Sequence, residues 1–101
     1  MRIITANLNG IRSAARKGFF EWMEAQKPDV VCVQETKAQE HQLEVELHFP
    51  KGYNAYFCDA QKKGYSGVAV YSRQVPDKMT CGLGEGFEDM DAEGGFIQAD
   101  F

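Results

Sequence analysis

At 101 residues the chain is long enough for one small domain with one core, and 44% hydrophobic against 26% charged residues is a globular balance, not a disordered one. No apolar run approaches the ~20 residues that span a bilayer. The opening Met1-Arg2-Ile3-Ile4-Thr5 enters a strand with neither apolar leader nor cleavage site, which reads as cytoplasmic, with no membrane partner. The net charge of −4 is unevenly spread: all 11 Lys and Arg lie in residues 1–78 against nine acids, while residues 79–101 carry six acids and no base. A locally basic surface on such a protein can still engage phosphate, because screening limits distant charges to about 8 Å.

In chain order, Arg2–Ala6 reads as a strand that runs into the turn Asn7-Leu8-Asn9-Gly10. Ile11–Ala15 is a short helical turn with Arg12, Arg16 and Lys17 beside it. Gly18–Gln26 follows as a helix whose Phe19, Trp22 and Met23 share one face, a stripe expected to be core. Lys27-Pro28-Asp29 ends that helix. Val30–Val33 is then a continuous apolar, largely β-branched run, the mark of a buried central strand. It stops at Gln34, Glu35 follows at once, and Lys37 lies two positions on. Ligands of α/β folds bind at the rim formed by the carboxyl ends of such strands. Two strand ends are therefore expected to bring one carboxylate, two carboxamides and a lysine to one edge.

Leu43 and Leu47 share a face in a helix expected over Gln39–Leu47, broken by Pro50-Lys51-Gly52. His41 and His48, seven apart and without a partner pattern, are expected to be solvated. Tyr53–Cys58 alternates as a strand, Ala60–Gly67 is a connection rich in Gly and Lys, and Val68–Tyr71 is another apolar strand. Gln74–Lys78 is a turn, Met79–Gly82 a short strand, Leu83–Gly95 an acidic loop, and Phe96–Phe101 begins a last strand. Ending inside a strand, the chain looks like a piece of a longer protein. The three cysteines, Cys32, Cys58 and Cys81, are odd in number and widely spaced, and are expected to be small buried hydrophobes in a reducing compartment. The order β-α-β-α followed by strands makes the class mixed α/β.

Asn7, Asn9 and Glu35 offer only oxygen ligands, suited to a weak Mg²⁺ site completed by substrate; spacing alone equally allows a turn beside a solvated glutamate. Lys62-Lys63-Gly64-Tyr65-Ser66-Gly67 can cradle phosphate through backbone N–H groups and lysines, or be a solvated hairpin loop. Asp89, Asp91, Glu93, Gly94 and Asp100 fall on calcium-loop positions, but with Glu at position 5, Asp at position 12 and a strand where a helix should follow. Neither histidine lies near these sites, and no second carboxylate is placed to orient water. The sequence offers half an active site.

Taken together, Ile4–Arg12 (ITANLNGIR), Gly18-Phe19, Pro28–Lys37 (PDVVCVQETK) and Lys63–Ala69 (KGYSGVA) closely resemble the exodeoxyribonuclease III / abasic-site endonuclease family. Asp91-Ala92-Glu93-Gly94 and Gln98-Ala99-Asp100-Phe101 extend the match. The resemblance implies a Mg²⁺-dependent nuclease (Mn²⁺ can substitute) that acts on double-stranded DNA 5′ to abasic sites or at 3′ ends. It implies Glu35 as metal ligand, Asn7 as an active-site amide beside the metal, and Arg12, Lys37, Gly64 and Tyr65 as contacts to the DNA backbone. Asn9 falls where the family carries Asp or Asn. Gly95 stands where relatives carry arginine. The implied fold is the N-terminal part of the endonuclease/exonuclease/phosphatase-type two-sheet α/β sandwich, with residues 1–101 a single incomplete domain. The later tyrosine, Asp-x-Asn motif and closing Asp-His pair are absent, so the chain alone is expected to be inactive, needing a C-terminal half or associating with itself. The alternatives are a non-catalytic module that binds DNA or another chain, and a phosphodiesterase acting on lipid or inositol phosphates.

Overall fold

A computed structural model describes residues 1–101. The chain runs β1 (Ile3–Asn7), α1 (Ile11–Arg16), α2 (Phe19–Gln26), β2 (Val30–Gln34), α3 (Val45–His48), β3 (Asn54–Cys58), β4 (Val68–Ser72), β5 (Lys78–Cys81), α4 (Glu88–Ala92) and β6 (Ile97–Asp100). β1 and β2 are parallel, with Ile3 opposite Val30 and Asn7 opposite Gln34, and the two helices form their crossover. β4 lies antiparallel to β2, and β3 antiparallel to β4, giving the order β1-β2-β4-β3. β5 and β6 form a second, two-stranded sheet. The carboxyl ends of β1, β2 and β3 and the start of β4 therefore meet at one edge.

Alternation sends Val31, Val33, Ala69 and Tyr71 to the helix-covered face, where they meet Ile11, Phe20 and Met23. The Tyr71 ring packs edge-on against Phe20 at 5.5 Å, and its hydroxyl donates to the His48 carbonyl at 2.8 Å. Burial raises the Tyr71 pKa, and the satisfied hydroxyl removes the cost of leaving a buried phenol unpaired.

Several expectations are corrected by this packing. The core stripe of α2 is Phe20 and Met23; Trp22 is 48% exposed and lies beside Phe19 at the core's margin. The expected Gln39–Leu47 helix divides into a 3₁₀ turn, Glu40–Gln42, and α3. The turn is held by Gln42 accepting the Gln39 N–H, by Asp59 accepting the Glu40 N–H and by Gln39 donating to the Ala60 carbonyl. These bonds fasten it to the end of β3 and outweigh the weak helical pattern of so short a stretch. Leu43 packs on the core and Leu47 is exposed.

His48 is buried, not solvated: its Nδ1 accepts the Glu44 N–H at 2.9 Å and its ring stands edge-on to Phe20. Desolvation lowers its pKa, opposed by Glu44 and reinforced by Arg12 and Arg16. Cys58 and Cys81 are joined as a disulfide between β3 and β5, with Cα atoms 5.7 Å apart, so only Cys32 is a free thiol. The acidic loop contains α4, and Asp91 there accepts the N–H groups of Leu83 and Gly84.

Candidate functional site

The parallel β1–β2 ladder continues past both strands. Leu8 donates to the Gln34 carbonyl at 2.9 Å, Gly10 to Glu35 at 2.8 Å and Ile11 to Thr36 at 2.9 Å. From the other side, Thr36 donates to Gly67 at 3.2 Å and Lys37 to Ser66 at 2.8 Å. The QETK backbone is thus clasped between the Asn7–Gly10 turn and the loop that enters β4.

That clasp brings four predicted polar residues together. The Asn7 Oδ1 accepts the Asn9 N–H at 3.0 Å, which turns its Nδ2 toward Glu35, and the amide donates to Oε2. A carboxylate can only accept, so this orientation of the amide is chemically forced. Lys37 donates from Nζ to Asn9 Oδ1, and the same ammonium lies 3.6 Å from Glu35 Oε1. Asn9, Glu35, Lys37 and Ser66 all hold positive φ, between 42° and 53°. L-residues adopt that conformation at a cost, and such outliers cluster where side chains must be aimed.

Two glycines make the close approach possible. A Cβ on Gly67 would strike the Thr36 hydroxyl. One on Gly94 would lie 2.6–2.7 Å from backbone atoms of Cys58, Asp59 and Ala60, where Glu93 accepts the Gly67 N–H and Ala92 that of Gln61. This packing explains the Asp91–Gly94 segment physically: it braces the loop before β4. Gly95 is under no such constraint, its nearest neighbour at 3.7 Å.

Arg12 is exposed on α1 and, with Arg16 and Lys37, lines an open concavity completed by Gly10, Ser13 and Thr36. It contains three cations and no acid, a composition that suits phosphate. Arg16 lies outside the residues that the resemblance implies, and its sequence signal is the i, i+4 spacing from Arg12, since like charges so placed destabilise a helix. Tyr65 is exposed, with the Lys62 ammonium 4.2 Å above its ring. No hydrogen bond or ion pair joins Tyr65 to Glu35; the hydrogen bonds from this loop to QETK run through the backbone of Ser66 and Gly67.

The side chain of Glu35 is 43% exposed, and no group of three or more His, Cys, Asp or Glu surrounds it. One carboxylate with neighbouring amides fits a hard cation that keeps most of its waters and takes phosphate oxygens, as Mg²⁺ does, and does not fit a thiolate or imidazole centre.

The sequence matches the Endonuclease/Exonuclease/phosphatase family over residues 4–99. It is 39% identical to the exodeoxyribonuclease of Bacillus subtilis (strain 168) over 102 residues, covering 100% of this chain and 38% of that protein. It is 39% identical to a DNA-(apurinic or apyrimidinic site) endonuclease of Dictyostelium discoideum over 84 residues, 83% of this chain and 23% of the relative. The fold superposes on an AP endonuclease from Archaeoglobus fulgidus with a TM-score of 0.73 at 34% identity, covering 87% of this chain and 34% of that one. The chain thus spans well under half the length of these relatives. It belongs to the Endonuclease/Exonuclease/phosphatase family.

Proposed function

We propose that this chain is the N-terminal portion of a Mg²⁺-dependent DNA-repair nuclease that hydrolyses the phosphodiester 5′ to abasic sites or removes nucleotides from 3′ ends. The observation that carries this reading is the ring Asn7–Glu35–Lys37–Asn9, held at the sheet edge by backbone bonds from two flanking loops. Glu35 would hold the metal and Asn7 orients its carboxylate. Bound there, Mg²⁺ (or Mn²⁺) would supply Lewis-acid polarisation of a phosphoryl oxygen. Arg12, Arg16 and Lys37 would take the DNA backbone, with Gly64 and Tyr65 on the neighbouring loop. Neither histidine hydrogen-bonds to this ring: His41 is exposed on the 3₁₀ turn and His48 is buried against Phe20. With no side chain placed to orient water, residues 1–101 act as an incomplete domain and are inactive alone.

The test joins this chain to the remainder of the Bacillus subtilis exodeoxyribonuclease and measures incision of a duplex with one abasic site. Mg²⁺-dependent incision by the chimaera, lost in Glu35→Ala and absent from residues 1–101 alone, is the expected result. A chimaera that folds but incises equally well with Glu35→Ala overturns the assignment.

Self-association is a second reading with its own observation. Ile3, 62% exposed, is in register with Val30 on the sheet face opposite the helices, and β1 is an edge strand of the four-stranded sheet. Sedimentation of the chain at rising concentration decides it: a mass that stays monomeric removes this reading.

A further inference from the structure

We infer that Lys37 is a built-in counter-ion that stands in for the metal at Glu35 and links metal binding to the arrival of a phosphate. The inference rests on the reading of Glu35 as the metal carboxylate. Glu35 Oε2 already accepts the Asn7 amide, which leaves Oε1 as the oxygen free to meet a cation. The Lys37 ammonium lies 3.6 Å from Oε1, too far for a strong hydrogen bond and well within Coulombic reach. Its hydrogen bond goes to Asn9 Oδ1, a neutral acceptor. Glu35 is therefore the only full negative charge that Lys37 engages, and Lys37 the only full positive charge that Glu35 engages.

A divalent ion at Oε1 and an ammonium this near repel each other, so entry of the ion favours departure of the ammonium. Its stem is anchored by the Lys37 N–H bond to Ser66, but its side chain is 39% exposed and has room to swing. The direction open to it along the site is the concavity shared with Arg12 and Arg16. With no anion there, Arg12 and Arg16 favour the Lys37 ammonium on its Glu35 side; a phosphate held in the concavity attracts it. A phosphate there would draw Lys37 off Glu35 and leave the carboxylate to the metal. The two ligands are thereby coupled with the same sign in both directions.

Titration of the 101-residue chain with Mn²⁺ alone, followed by the electron-spin resonance of the free ion, tests this. Lys37→Gln is expected to tighten Mn²⁺ binding roughly three- to tenfold, the scale for removing one nearby, partly screened charge. Lys37→Arg keeps the charge and should stay near the unaltered chain. Glu35→Gln should lose the binding. Unchanged or weaker binding in Lys37→Gln, with Glu35→Gln still losing it, overturns the counter-ion role and leaves the metal carboxylate standing. Tightening by Lys37→Arg as well would trace the effect to a disturbed loop, which also overturns it. Binding that survives Glu35→Gln removes the metal reading itself, and this inference with it.

Discussion

Asn7, on the last position of β1, donates its amide to Glu35, the first residue beyond β2. The bond spans the parallel pair at its carboxyl edge and fixes one carboxylate oxygen while leaving the other open. On the proposed reading of Glu35 as the metal carboxylate, a partner that orients it in this way is worth about 10–100-fold in metal affinity or activity. In the chimaera, Asn7→Leu should lower kcat by that order while the melting temperature hardly moves, since the bond is exposed. Equal losses of kcat and thermal stability would show that Asn7 is structural only.

Gly94 and Gly95 are adjacent yet face opposite constraints. Gly94→Ala drives a methyl into the backbone of Cys58–Ala60 at a positive φ of 63°, and should destabilise the chain by about 2–4 kcal/mol in urea unfolding. Gly95→Arg meets only ordinary contact and should leave stability within about 0.5 kcal/mol. If the new arginine reaches DNA phosphate in the chimaera, the slope of log K against log salt steepens by about 0.9. A flat slope with unchanged affinity marks Gly95 as neutral.

His48 gives the chain an acid-sensitive component. Burial depresses its folded pKa below the ordinary value of about 6.5, so at lower pH the unfolded chain binds the extra proton. The stability due to neutral His48 is complete above that value and is lost as pH falls through it toward the folded pKa, by at most about 1.4 kcal/mol per pH unit. Urea unfolding between pH 7.5 and 5.5 should show this decline, and His48→Leu should flatten it.

The disulfide predicts a thiol count. Unfolded without reductant, the chain should expose one alkylatable thiol, Cys32; after reduction it should expose three. In the folded chain Cys32 should react slowly, because burial raises its pKa. Closing a loop between cysteines 23 apart in sequence stabilises by roughly 3 kcal/mol in the chain-entropy account, so reduction should lower stability by that order. Three thiols before reduction would refute the pairing.

The central strand and the rim were legible because their signals are local: Val30–Val33 is an unbroken apolar run, and Glu35 follows it directly. The meeting of Asn7, Asn9, Glu35 and Lys37 followed from two strands ending alike. What the sequence concealed depends on contacts between distant elements. His48 is buried by Phe20 and Tyr71, which no spacing around His48 encodes. Cys58 and Cys81 meet because β5 folds back beside β3. The turn from Lys37 onto Asn9 and Glu35 depends on left-handed backbone at non-glycine positions, which no periodicity announces.

Those left-handed positions set durability against purpose at the edge of the sheet. Glycine adopts φ near +50° freely, whereas Glu35 and Lys37 hold it against the preference of their own side chains. At both positions the sturdier loop would be the one with no side chain, gaining on the order of 1 kcal/mol per site from relaxed backbone. A selection for thermal resistance alone would therefore erode this edge first, and the chain that best withstood heat would be the one that had discarded its carboxylate.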